Sequence, residues 1–193
     1  DSLFSLIPTF CQDATKNYFV ISLKLKMKII KQSTYETCLA CCLLMMVGTI
    51  KKDEIEIWKH GWKFNYLMGQ LNYVADKHNK IFKVYVENEY YFNQLKKQKN
   101  KNIQLVNKKI DIKFLSHLLQ EGNAIVYLDN YYQLKFLHTP HFVIASKRIE
   151  NNIEIVDPYD GVVKNVSAKT IGKAIINLRN HLGYSPVLII LKN

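Results

Sequence analysis

Ten consecutive residues, Cys38-Leu39-Ala40-Cys41-Cys42-Leu43-Leu44-Met45-Met46-Val47, carry no polar side chain. A helix that is apolar on every side has to be surrounded by protein or by lipid. This run falls well short of the ~20 residues needed to cross a bilayer, so it is read as a core helix. A chain of 193 residues can wrap it: a domain of that size buries roughly 70% of the surface its unfolded chain exposes. With 48% hydrophobic and 12% aromatic residues, against 7 Gly and 4 Pro, the composition excludes a disordered or low-complexity chain. Residues 1–10 show neither a basic leading segment nor a small-residue cleavage site, so no signal peptide is expected.

Periodicity changes along the chain. Residues 20–30 alternate, with Ile21, Leu23, Leu25, Met27 and Ile29 on one face and Ser22, Lys24, Lys26 and Lys28 on the other, which predicts a half-buried strand. After the apolar helix, Asp53 caps a short helix that stops at Gly61. Leu67, Leu71, Val74 and Ala75 then share one face of a helix over 65–78. Residues 81–86 read as a strand, and 89–98 and 111–120 as helices. Beyond Gly122 the pattern becomes short β-rich runs at 124–128, 141–146, 153–156 and 186–191, with a last helix near 168–181. Helices first and strands later predict an α+β domain, its N-terminal helices packed on one side of a mainly antiparallel sheet.

The core helix opens on a cysteine. A thiol with pKa about 8.5 is mostly protonated at neutral pH and attacks only as thiolate. Two devices lower that pKa here: the partial positive charge of the helix N-terminus beside Cys38, and an imidazole from His141 that can hold the proton. A turn at Asn151-Asn152 pairs the run that His141 starts with the run that Asp157 ends, bringing both to one sheet edge. Asp157 can then orient the ring and fix its tautomer. Gln32, six residues ahead of Cys38, offers an amide that can join the Cys38 backbone N–H in stabilising an oxyanion. Taken singly, Gln32 reads as a surface residue, Asp157 before Pro158 as a turn and His141 as a strand residue; their joint order carries the catalytic reading.

In three segments, Gln32-Ser33-Thr34-Tyr35-Glu36-Thr37-Cys38, His141-Phe142-Val143-Ile144-Ala145 and Ile155-Val156-Asp157-Pro158 with Gly161, the chain resembles the bacteriocin-processing, or double-glycine leader, cysteine peptidases of the papain-like clan. The resemblance implies a papain-like cysteine proteinase fold with Cys38 as nucleophile, His141 as base, Asp157 as orienter and Gln32 as oxyanion donor. It covers about residues 30–161; the chain reads as a single globular domain overall, with an N-terminal extension and strand over 1–30 and a papain-like peptidase domain over 31–193. Leu39 stands where the family carries glycine or another small residue. Family members are often one domain of an ATP-driven exporter. This sequence has neither membrane spans nor a Gly-x-x-x-x-Gly-Lys phosphate loop, so it reads as a stand-alone relative.

The other cysteines, Cys11, Cys41 and Cys42, do not form a disulfide framework with Cys38: three of the four lie on one helix, where bridge geometry is hard to reach, so a reducing, cytoplasmic compartment is expected. Cys41 and Cys42 read as core packing. A rival zinc site built from Cys38, Cys41, His138 and His141 leaves Gln32 and Asp157 unexplained and takes its cysteines from an apolar helix rather than a knuckle. No metal or organic cofactor is expected.

The formal charge is +11, but only two of the 27 cations, Arg148 and Arg179, are arginine, which argues against nucleic acid. Lys96, Lys97, Lys99 and Lys101 could touch an anionic surface weakly, and read more simply as a solvated helix end. His60 and His78 fall at helix C-termini, where a cation suits the dipole. The loop with Asn130, Tyr131, Tyr132, Phe136 and Thr139 could contact substrate. The expected activity is hydrolysis of an extended peptide through an acyl-enzyme. The alternatives are an acyl transferase of the transglutaminase type using the same triad, and a catalytically silent module that binds peptides or anions.

Overall fold

A computed structural model describes residues 27–63 and 65–192 of the chain. Among the described residues seven α-helices are defined: α1 (Cys38–Val47), α2 (Glu54–Gly61), α3 (Tyr66–Lys77), α4 (Glu89–Lys96), α5 (Ile112–Glu121), α6 (Tyr131–Leu134) and α7 (Ala168–Asn180). Between and after them run β1 (Ile81–Val86), β2 (Ile103–Asn107), β3 (Ala124–Asp129), β4 (Pro140–Ile149), β5 (Asn152–Asp157), β6 (Val162–Ser167) and β7 (Val187–Lys192). The strands form one sheet in the order β2-β1-β7-β3-β4-β5-β6. Only the β1–β2 pair is parallel, so the sheet is mainly antiparallel and the fold is α+β.

Strand β7 explains why the sheet is covered on both faces. Its residues Val187, Leu188, Ile189 and Ile190 are all buried, a continuous apolar run that only a two-sided layer accommodates. Val187 and Ile189 join the cluster formed with α1, α2, α3 and α4, whereas Leu188 and Ile190 join the one formed with α5 and α7. The N-terminal helices thus share one face as the sequence implies, and α5 and α7 take the other, which the one-sided expectation missed. Helix α1 is buried from Cys38 to Met45, as an all-apolar helix must be. Helices α2 and α3 cross closely at Gly69: a Cβ there would lie 2.1 Å from the His60 carbonyl oxygen, so no other residue fits.

Three local expectations shift. Residues 27–30 form no strand, although Ile30 is buried in the core; the remainder of the predicted 20–30 strand lies outside the described residues. The hairpin turn falls at Glu150-Asn151, one residue early, with Glu150 at φ +52° and Ile149 paired to Asn152. Strands β2 and β6 were not expected. Both are sheet edges and partly exposed, so neither needs the apolar alternation that marks an inner strand. Among the described residues no helix is long and apolar enough to cross a membrane.

Candidate active site

Cys38 is the first residue of α1, so its own N–H lacks an intrahelical acceptor and lies at the positive end of the helix dipole. The side chain is 7% exposed and reaches a cleft between α2, α3 and the β3–β4 edge. Its helix is tied to β4 by the Cys42 thiol, which donates to the Phe142 carbonyl at 3.5 Å, one residue past His141. The His141 Nε2 lies 2.8 Å from Asp157 Oδ1, and the ring's other partner is the Cys38 thiol. Burial opposes a charge on this imidazole, yet the hydrogen bonds to Asp157 and Cys38 outweigh it and raise the His141 pKa to about 9.

Asp157 is fully buried and every lone pair has work. Its Oδ1 also accepts the Tyr159 N–H at 2.9 Å; its Oδ2 accepts the Tyr132 hydroxyl at 3.2 Å and faces the Lys164 ammonium at 3.5 Å. Burial alone would raise its pKa; His141, the Tyr159 N–H and Lys164 reverse that and hold it below the ordinary aspartate value. Lys164, which also contacts Asp160 and Gln133, carries no motif in the sequence and was not anticipated. Tyr132 was placed in a possible substrate loop, and its hydroxyl instead supports the aspartate.

Gln32 enters this region through its backbone N–H, which donates to the Pro158 carbonyl at 2.8 Å and joins the loop before Cys38 to the turn after Asp157. Its side-chain Nε2 donates to the carbonyls of Thr34 at 2.9 Å and Tyr35 at 3.3 Å, while Oε1 is buried without a partner. In this conformation both amide hydrogens therefore shape the loop ahead of Cys38. Gly161 makes the close approach possible: at φ +72°, an added Cβ would stand 2.9 Å from Lys31 Cβ. Gly161→Ala is expected to cost about 1–2 kcal/mol from the left-handed conformation alone, and to displace Lys31 and Gln32. Urea denaturation measures the first effect.

Two buried carboxylates were missed, Asp129 beside His138 and Glu54. Glu54, in the first turn of α2, accepts the Ser33 N–H at 2.6 Å, the Ser33 hydroxyl at 2.7 Å and the Thr37 hydroxyl at 2.5 Å. Burial would raise its pKa, but these bonds and one from the Cys41 thiol leave it below the usual glutamate value. The Cys41 thiol is pushed well up by burial and then by Glu54, and burial does the same to Cys42, so both stay protonated beside Cys38. Cys11 lies outside the described residues.

Three of the four ligands of the rival zinc site are directed elsewhere: Cys41 to Glu54, His141 to Asp157, and His138 Nδ1 to Asp129 at 2.6 Å. No group of three or more His, Cys, Asp and Glu among the described residues could hold a metal. His60 and His78 are not the helix-end cations that their positions suggest. Burial lowers both pKa values, with neighbouring Lys63 and Lys77 adding to the effect, and His60 stacks on Tyr73 at 3.9 Å.

No protein-family model and no curated protein matches the sequence. Among solved structures, the chain is similar to a crystal structure from Bacillus anthracis described provisionally as a C39-like peptidase. The two share 12% identity at a TM-score of 0.54, over 87% of this chain and 96% of that one. The fold is thus that of the C39-like, papain-like peptidases.

Proposed function

We propose that this protein is a cysteine peptidase in which Cys38 attacks a peptide carbonyl. The observation that carries the reading is the imidazole of His141, seated between the Asp157 carboxylate and the Cys38 thiol and favoured as a cation up to about pH 9. The thiol proton passes to His141 Nδ1, because Nε2 is engaged by Asp157. Thiolate sulfur then bonds to the carbonyl carbon and the C=O electron pair moves onto oxygen. The Cys38 N–H is free to receive that oxyanion, and Gln32 joins it by releasing its longer bond, to Tyr35. Collapse breaks the C–N bond as His141 protonates the leaving amine, giving a thioester. Water attacks that thioester with His141 as base, releasing the carboxylate product and restoring the thiol. As a relative of the leader peptidases, the protein would act on an extended peptide segment.

The test is a digest of a peptide library by wild-type protein and by Cys38→Ala, with intact-mass detection of a thioester on Cys38. Cleavage and adduct in the wild type alone are expected; equal cleavage by Cys38→Ala overturns the reading. The pH profile supplies a second check. Since the acid that protonates the amine is the His141 imidazolium, kcat/KM is expected to fall as pH rises through about 9. Asp157→Asn removes the charge that supports the imidazolium and moves this limb to lower pH.

A further inference from the structure

Cys38 opens onto the first of two adjoining aromatic cavities that form a trough. The first cavity, about 540 Å³, has walls that include Tyr35, Trp58, Trp62, Tyr66, Tyr127 and Phe142. A second, about 580 Å³, shares Tyr66, Tyr127 and Phe142 and runs on to Tyr90 and Tyr184. Starting beside β4, the trough crosses β3 and the first residue of β7 and ends by Asn88, just past β1. Three strand spacings of ~4.8 Å amount to ~14 Å, the reach of about four residues of extended chain. Cys38 lines the first cavity and not the second.

The walls are braced before anything binds. Tyr127 stacks on Phe142 with centroids 4.2 Å apart, Trp58 meets Trp62 edge-on at 5.4 Å, and the Tyr66 hydroxyl donates to the Glu36 carbonyl. Charge is the second discriminating fact. In a chain of net charge +11, no lysine or arginine among the described residues lines either cavity, and Glu36 is the single carboxylate among the described lining residues. Such a trough favours uncharged, bulky side chains. A pair of glycines would leave its aromatic surface in contact with water and would gain none of the ~25 cal/mol per Å² available from covering it.

We propose, building on the assignment of Cys38 as nucleophile, that this trough selects peptides carrying two large apolar or aromatic residues on the same side of the cleaved bond. Side chains of an extended strand alternate in direction, so the two that enter adjoining cavities are separated by one residue. Substrates of this class differ from those defined by a small-residue pair at the scissile bond.

Two measurements on the full chain separate this inference from the peptidase reading. The two tryptophans of the protein, Trp58 and Trp62, both line the trough, so intrinsic fluorescence reports binding without turnover. Blocked peptides of the form Phe-x-Phe, Gly-x-Gly and Lys-x-Lys are titrated into Cys38→Ala, and a positional-scanning library is digested by the wild type. The Phe-x-Phe peptide is expected to bind at least ~10-fold more tightly than either other peptide, and glycine at either selected position to lower kcat/KM by a similar factor. Trp62, 72% exposed, can be removed without disturbing the core. Trp62→Ala is expected to reduce the preference at one position and leave the other. Selective binding without cleavage keeps the trough assignment and removes the peptidase; cleavage with a glycine preference, or with lysine accepted as readily as phenylalanine, overturns the trough assignment alone. Neither cleavage nor selective binding overturns both.

Discussion

His141→Ala is expected to lower turnover by about 10⁶, as far as removing Cys38 itself, because the two act as one unit. Without the imidazole nothing receives the thiol proton and nothing protonates the leaving amine. The fold should survive. Asp157 keeps the Tyr159 N–H, the Tyr132 hydroxyl and Lys164 as partners, so no bare charge is left in the core. Asp157→Asn should be milder in its effect on the thiol and lose about 10⁴ in kcat through a poorly held tautomer. Iodoacetamide labelling at pH 6.5 separates the two variants: Cys38 is expected to label slowly in His141→Ala and at an intermediate rate in Asp157→Asn. Unchanged labelling in both would remove His141 from the proposed mechanism.

The same residue has a stability signature of definite sign. Its pKa is raised from 6.5 to about 9 in the folded chain, so the folded state holds the extra proton between those values. Its contribution to stability is complete below about pH 6.5 and is lost as pH rises through 9. Asp157, with its pKa depressed, behaves in the opposite way: its contribution is present above the ordinary aspartate value and is lost as pH falls further into the acid range. The difference in urea midpoint between wild type and His141→Ala should therefore be larger at pH 6 than at pH 10.

Much of the Cys38, His141 and Asp157 arrangement was legible because each sits at an element boundary. Cys38 opens an all-apolar helix, His141 lies near the start of an apolar strand, and Asp157 ends the next strand before a proline. Period and turn chemistry locate such boundaries, and a hairpin then places the last two residues side by side. The edge strands β2 and β6 left weak traces since half their residues face solvent. Gln32 was legible in position but not in orientation, because its amide bonds depend on the loop carbonyls of Thr34 and Tyr35. Glu54 was beyond reach for a different reason. An acid in the first turn of a helix is ordinary, and its burial against Ser33 and Thr37 is a tertiary event. The available hint was the Thr37 hydroxyl, which directly precedes an all-apolar helix, since a buried donor requires an acceptor.

Glu54→Ala is expected to destabilise the protein by about 1–2 kcal/mol, the loss of charge-assisted bonds from the buried Thr37 hydroxyl and from Ser33 at the loop surface. Three donors from the Gln32–Cys38 loop, the Ser33 N–H and hydroxyl and the Thr37 hydroxyl, converge on this one carboxylate, which is 1% exposed. Glu54→Gln preserves the shape but turns one oxygen into a donor facing other donors, so it recovers only part of the loss. The pH dependence identifies the charge as the cause. Because the folded-state pKa is held below the ordinary glutamate value, the stabilisation is present at neutral pH and is lost as pH falls through that depressed pKa. Urea midpoints of wild type and Glu54→Gln should therefore differ clearly at pH 7 and converge in the acid range. Slower alkylation of Cys38 in folded Glu54→Gln would show that the same carboxylate holds the nucleophile in place, whereas wild-type stability and labelling together would assign these short contacts no energetic weight.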